Sequence, residues 1–409
     1  MTETLADTAA GPLEHPMPRA AGCPFDPPPA LQALQADRPI SRVRIWDGTS
    51  PWLITRHDHL RTLLGDPRVS ADPTRPGYPH RTAGMKASDQ ARQTFLTMDD
   101  PEHARLRRMV TAPFAVKKVE ALRPSVQKIV DDLIDGMLAG PKPVDLVEAF
   151  ALPVPSLVIC ELLGVPYEDH DLFQRNTKVV VRRTSTSEEV LAAQRELADY
   201  LDDLLTVKRA RPADDLLSVL ATERVATGEM TQRHAAETGV LLLAAGHETT
   251  ANMIALGTLA LLRNPDQLAL LRDAEDPKTV AGAVEELLRY LNITHSGRRR
   301  VALEDIEVGG EVIRAGDGII FANDIANRDP EAFPEPDRLD ITRDARRHVA
   351  FGYGVHQCLG QPLARLELQV VYSTLYSRIP TLALATGFDE VEFKHDGIVY
   401  GVYELPVTW

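Results

Sequence analysis

The stretch from Thr231 to Arg263 contains no proline and is closed by Asn264-Pro265, a helix stop signal. As one helix it would be roughly 50 Å long at 1.5 Å per residue, enough to cross a whole domain. Apolar side chains fall on nearly every face of it, which marks a helix buried on all sides rather than one lying on a surface. Such a helix has to be covered by others, so a mainly α-helical domain is predicted. A membrane span fits poorly: His247 and Glu248 interrupt the apolar run, and an acidic group at mid-bilayer is costly.

The 409 residues leave room for two domains, but no internal repeat or linker shows. The expectation is a lead-in over residues 1–30, mobile and rich in Pro, Gly and Ala, followed by a single domain over 31–409. The lead-in lacks the basic and apolar blocks of a signal peptide. A net charge of −14 argues against sequence-independent binding of nucleic acid. The three cysteines, Cys23, Cys160 and Cys358, are an odd and sparse set, so no disulfide framework is expected. A reducing, cytoplasmic interior fits and would keep a thiol available as a ligand.

In chain order, short strands are predicted at 42–45 and 52–55 around the turn signal Asp47-Gly48, then a helix over 57–64 ended by Gly65. Residues 70–97 show no period, and a long loop of this kind tends to cover a binding site. From Pro101 the pattern turns helical, with His103 and Arg107 at i and i+4 on one face. Amphipathic spacing runs from Val119 to Met137, and Thr186 with Glu189 resembles a capping box opening a helix to about Ala210. After helices over 265–273 and 279–290, residues 301–324 alternate short strands with Gly-Gly and Gly-Asp-Gly turns. A Pro-rich meander follows, and 391–407 reads as strands. The fold class is therefore mainly α with a smaller β-rich part.

Between the meander and a helix opening at Pro362 lies FGYGVHQCLG, residues 351–360. Glycines at 352, 354 and 360 let backbone approach something large and flat. Cys358 falls at or just before the helix N-terminus, where free N–H groups favour a thiolate and hence a soft metal ligand. Phe351, Gly354, His356, Cys358 and Gly360, with Ala364, Arg365 and Glu367 beyond, resemble the haem-ligand signature of the cytochrome P-450 superfamily. The likeness extends over nearly the whole chain and is to soluble bacterial forms, above all actinobacterial ones that tailor natural products in secondary metabolism or oxidise foreign compounds.

The resemblance implies a cytochrome P-450 fold with the long central helix crossing the distal face of haem b. Cys358 is then the axial ligand of the iron, with Phe351, Gly352 and Gly360 packing at the ring. His103, Arg107, Arg298 and His356 are implied as partners of the haem carboxylates. Glu248 and Thr249, within Ala245-Gly246-His247-Glu248-Thr249-Thr250, match the family's acid–alcohol pair, which relays protons to bound O2. From the residues alone, the bland reading of this segment is a helix kink with satisfied polar groups. Glu286 and Arg289, one turn apart, match the family's structural Glu–Arg pair, completed by Arg338; alone, such spacing is a common surface ion pair. Leu242, Leu243, Ala245, Thr294, His295 and Ile398 occupy positions where relatives meet substrate.

The implied reaction is insertion of one atom of O2 into a C–H bond, or epoxidation of an alkene, in a mid-sized apolar molecule such as a macrolide, polyene, terpenoid or steroid-like compound. The sequence shows no flavin or dinucleotide fingerprint, so ferredoxin and ferredoxin reductase are the implied electron donors to a monomer. Peroxide-driven or atypical haem oxidation such as ring coupling is one alternative. A non-catalytic haem-thiolate sensor is another.

Overall fold

The computed structural model describes residues 11–20, 22, 24–83, 85–86, 94–181, 185–294, 296–395 and 399–409. The chain forms two compact units. The first comprises Met1–His103, His295–Glu335 and Gly352–His356; the second comprises Ala104–Thr294, Pro336–Phe351 and Gln357–Trp409.

The first unit is built on a mixed six-stranded sheet. Its order is Leu13–Glu14, Ile40–Arg44, Trp52–Ile54, Gly318–Phe321, Arg298–Ala302 and Val69–Ser70. Ile40–Arg44 and Trp52–Ile54 form the expected hairpin, with Gly48 at φ 82° in its turn. Only a residue without Cβ adopts that φ readily. Trp52–Ile54 runs parallel to Gly318–Phe321 and buries all three side chains, as a strand covered on both faces does. Met17, Leu31, Leu34, Val43, Leu53, Ile320 and Ile325 pack together on this frame. Among the described residues of the lead-in, Leu13 pairs with Val43, Met17 joins the core, and Asp26 pairs with Arg328 at 3.2 Å.

The second unit holds the long helix, Gln232–Arg263, capped by the Thr231 side chain on the His234 N–H. It packs against helices Ser187–Ala210, Pro153–Leu163 and Gln361–Arg378. The expected capping box is present, Thr186 and Glu189 each accepting from the other's backbone N–H. Strands Ala383–Leu384, Pro406–Thr408 and Val144–Asp145 form a small antiparallel sheet. Among the described residues of 391–407, Phe393 and Val402 form an isolated antiparallel bridge.

The long helix meets Gln361–Arg378 at a close approach. The Tyr372 hydroxyl, fully buried, donates to the Met253 carbonyl at 2.5 Å, and a Cβ on Gly257 would land inside that hydroxyl. Alanine is favoured over glycine within a helix by about 1 kcal/mol, but overpacking here costs about 1–3 kcal/mol. Gly257→Ala should therefore lower the midpoint of chemical denaturation. A raised midpoint would show that Tyr372 yields at no cost.

Candidate active site

In the second unit, the Cys358 N–H donates to the Phe351 carbonyl at 2.9 Å, closing the loop between them. Gly360 is the N-cap of helix Gln361–Arg378, with Pro362 in the first turn, where a missing N–H goes unnoticed. The thiol thus stands two residues before a helix N-terminus and is only half-buried. A Cβ on Gly360 would sit 4.0 Å from Sγ, an ordinary van der Waals contact that leaves the sulfur uncrowded. Arg107 Nη2 donates to the Gln357 carbonyl at 2.6 Å. Burial lowers its pKa, and the charge of Cys358 opposes that shift. A cation this close favours the thiolate. Phe351 lies under the Arg365 guanidinium, 4.6 Å from ring centroid to Cζ.

Four further predicted residues belong to the first unit. His103 and His356 stack with centroids 4.0 Å apart. His103 Nδ1 pairs with Asp100 Oδ1 at 2.9 Å, while Nε2 is buried with no hydrogen-bond partner. Gly352 has φ 74°, and a Cβ on it would press to 3.0 Å from Arg298 Nε. The glycine is thereby explained twice, by its left-handed backbone and by room for the guanidinium.

The middle of the long helix breaks its own pattern. Ala244 and Ala245 are exposed in a helix otherwise buried around them. The Thr249 hydroxyl donates to the Ala245 carbonyl at 2.8 Å, the back-bond that Ser and Thr make to the preceding turn. Glu248 Oε1 accepts from Asn252 Nδ2 at 2.7 Å and from Lys394 Nζ at 3.2 Å. Its Oε2 is buried without a partner. Asn252 fits because residue 401 is glycine; a Cβ there would overlap its amide oxygen. Sequence reasoning missed Lys394 and Asn252. The i+4 spacing of Asn252 from Glu248 was a usable signal, whereas nothing local pointed to Lys394.

Of the substrate positions, Leu242 and Leu243 are buried, at 7% and 2% exposure, leaving Ala245 as the open side chain of the three. Thr294 Oγ1 donates to Asn292 Oδ1 at 3.0 Å. His295 and Ile398 lie outside the described residues.

Glu286 and Arg289 are wholly buried and bidentate, at 2.7 and 2.8 Å. Arg289 also donates to the Pro336 and Arg338 carbonyls at 2.8 and 3.4 Å. The expected third side chain is corrected. Arg338 enters through its carbonyl, while its guanidinium, 60% exposed, reaches Asp340 at 2.7 Å. Arg343 supplies the additional cation, with Nε 3.2 Å from Glu286 Oε1. Spacing alone does not separate two arginines on one meander; the turn at Asp340, whose N–H also donates to Glu286, decides between them.

A sequence model of the cytochrome P-450 family matches residues 41–378. The chain belongs to the cytochrome P-450 family. The cytochrome P-450 GfsF of Streptomyces halstedii is 59% identical, with both chains covered in full. The crystal structure of GfsF superposes with a TM-score of 0.94 over 97% of this chain and 100% of that one. At 45% identity over 98% of this chain and 94% of its own stands a 20-oxo-5-O-mycaminosyltylactone 23-monooxygenase of Streptomyces fradiae. The mycinamicin VIII C21 methyl hydroxylase MycCI of Micromonospora griseorubida, solved with mycinamicin VIII, is 43% identical with a TM-score of 0.88, covering 97% of this chain and 100% of that one. The protein is thus a cytochrome P-450 monooxygenase working with haem and O2. Among the described residues, no helix is long and apolar enough to cross a membrane. The residues of the second unit suit haem: a half-open thiol at a helix N-terminus and two bare alanines on a core helix.

Glu367, in the P-450 signature, is 3% exposed and its Oε2 has no partner. Burial pushes its pKa from 4.5 up to about 8. In the unfolded chain this carboxyl ionises near the ordinary value, so stability falls as pH rises from about 4.5 to about 8. Glu367→Gln should remove that slope and raise the urea midpoint at pH 8 but not at pH 4. Equal midpoint changes at both pH values would show the carboxyl is not the cause.

Proposed function

We propose that Cys358 would hold the haem iron through its sulfur and that the enzyme hydroxylates or epoxidises a mid-sized apolar natural product. The observation that carries this is the thiol itself, half-open before a helix N-terminus with the Arg107 charge beside it. Phe351, Gly352 and Gly360 would pack at the ring. His103, Arg107, Arg298 and His356 would meet its carboxylates, His103 through Nε2, since its Nδ1 is paired with Asp100. Haem bound there supplies O2 activation and transfer of one oxygen atom to the substrate.

The protein's own part is to place the substrate and move protons. Ala244 and Ala245 leave space over the core helix. Thr249 spends its proton on the Ala245 carbonyl, so its oxygen is left to accept from a water. Glu248 carries the next proton on Oε2, while Lys394 and Asn252 hold Oε1. Glu286, Arg289, Arg338 and Arg343 brace the meander and take no step. Two relatives are named for mycinamicin VIII and for a mycaminosyl-bearing lactone; this supports a lactone of that size as the substrate class. Electrons would come from ferredoxin and its reductase, steered by Arg105, Arg108, Arg346 and Arg347.

The reduced, CO-bound protein should show the Soret band of thiolate ligation; a histidine-type band would remove Cys358 from the iron. With a substrate found by spin-shift titration of a lactone library, Thr249→Ala should lower product formed per electron consumed several-fold and raise peroxide release. Unchanged coupling would take Thr249 out of the proton path.

A further inference from the structure

Next to the Glu286–Arg289 pair, and separate from it, a second buried ionic cluster lies against the cysteine loop. Glu285, on the same helix Pro277–Tyr290, accepts from Arg365 Nε at 2.6 Å and Nη2 at 3.1 Å, and faces His348 Nε2 at 3.2 Å. The His348 side chain is 1% exposed, and its Nδ1 accepts from the Ala350 N–H at 3.1 Å. With Nδ1 occupied as an acceptor, the ring proton sits on Nε2 and points at Glu285. Three donors converge on one carboxylate, and its pKa is lowered to about 2 although burial alone would raise it. Arg365 also holds Gln361 Oε1 at 2.8 Å, in the first turn of its own helix.

The cluster touches the loop at Phe351. Both cationic and imidazole members face Phe351, Arg365 at 4.6 Å and His348 at 5.7 Å from its ring. The carbonyl of Phe351 in turn takes the Cys358 N–H. A fixed anion and a fixed cation therefore reach the cysteine loop through Phe351, whose ring meets Arg365 and whose carbonyl holds the Cys358 N–H; the Glu285 side chain is 10% exposed and that of Arg365 26%, so solvent screens them only in part.

We propose that Glu285 and Arg365 are positioning residues that set the electron affinity of the iron held by Cys358, pulling in opposite directions, with His348 orienting the carboxylate. This rests on Cys358 as the iron ligand. Glu285 disfavours the extra electron, and Arg365 favours it.

The test is optical potentiometric titration of the purified, haem-loaded enzyme and its Glu285→Gln, Arg365→Gln and double variants, each checked by its reduced–CO band. Glu285→Gln should raise the midpoint potential and Arg365→Gln should lower it. The double variant, which leaves no charge buried alone, should return close to the wild type. Arg365→Lys, keeping the charge but not the fork, should stay nearer the wild type than Arg365→Gln. Single variants that shift the same way, or not at all, would overturn the proposal and leave the cluster a purely structural brace. If Arg365→Gln fails to fold, a double variant whose potential is not below that of Glu285→Gln overturns it equally. A wild type lacking the thiolate band would instead sink the ligand assignment, whatever the potentials do.

Discussion

A carboxylate and a guanidinium with no exposure to solvent, Glu286 and Arg289, hold the second unit's meander to its helical body. Removing two charges from water is expensive, and such a pair is stable only when its remaining hydrogen-bonding capacity is filled. Here it is filled by the meander itself: the Pro336 and Arg338 carbonyls, the Asp340 N–H and the Arg343 guanidinium. The preceding residue, Glu285, points to His348 and Arg365 instead. Two adjacent glutamates on one helix thus grip the chain before the cysteine loop and the helix after it. The loop between them can be rich in glycine and still hold one shape.

The long helix solves a different problem. Its surroundings demand apolar side chains, yet the chemistry of the family demands polar ones in its middle. The conflict is met by pairing each polar group locally or with one distant partner. Thr249 bonds back to Ala245, Asn252 bonds to Glu248, and Lys394 arrives from the C-terminal segment to balance the carboxylate. Gly401 is part of the same arrangement, since any side chain there would displace Asn252.

Much of this was legible in the chain. Helix limits at Thr231 and Asn264, the capping box at Thr186, the hairpin at Gly48 and the N-cap at Gly360 all follow from signals within a few residues of where they act. His103 and His356, far apart in sequence, stack with centroids 4.0 Å apart, a contact for which no local signal exists. The misses have one character. The sequence pointed to Arg338 for the Glu286 pair and gave no sign of Arg343, because spacing carries no information on which way a meander turns. Nor does composition signal that Met17 and a two-residue strand at Leu13 join the core.

By itself the sequence determined the long buried helix, the thiol placed at a helix start and the mainly helical class, because periodicity, proline and glycine act locally. Only the tertiary structure decided that Lys394 balances Glu248 across 146 residues, and that Glu285 gathers His348 and Arg365 beneath Phe351. Ion pairs of that kind leave no trace in spacing. They exist because folding removes water from charges that the unfolded chain keeps apart, and each must then find whichever opposite charge the packing brings within reach.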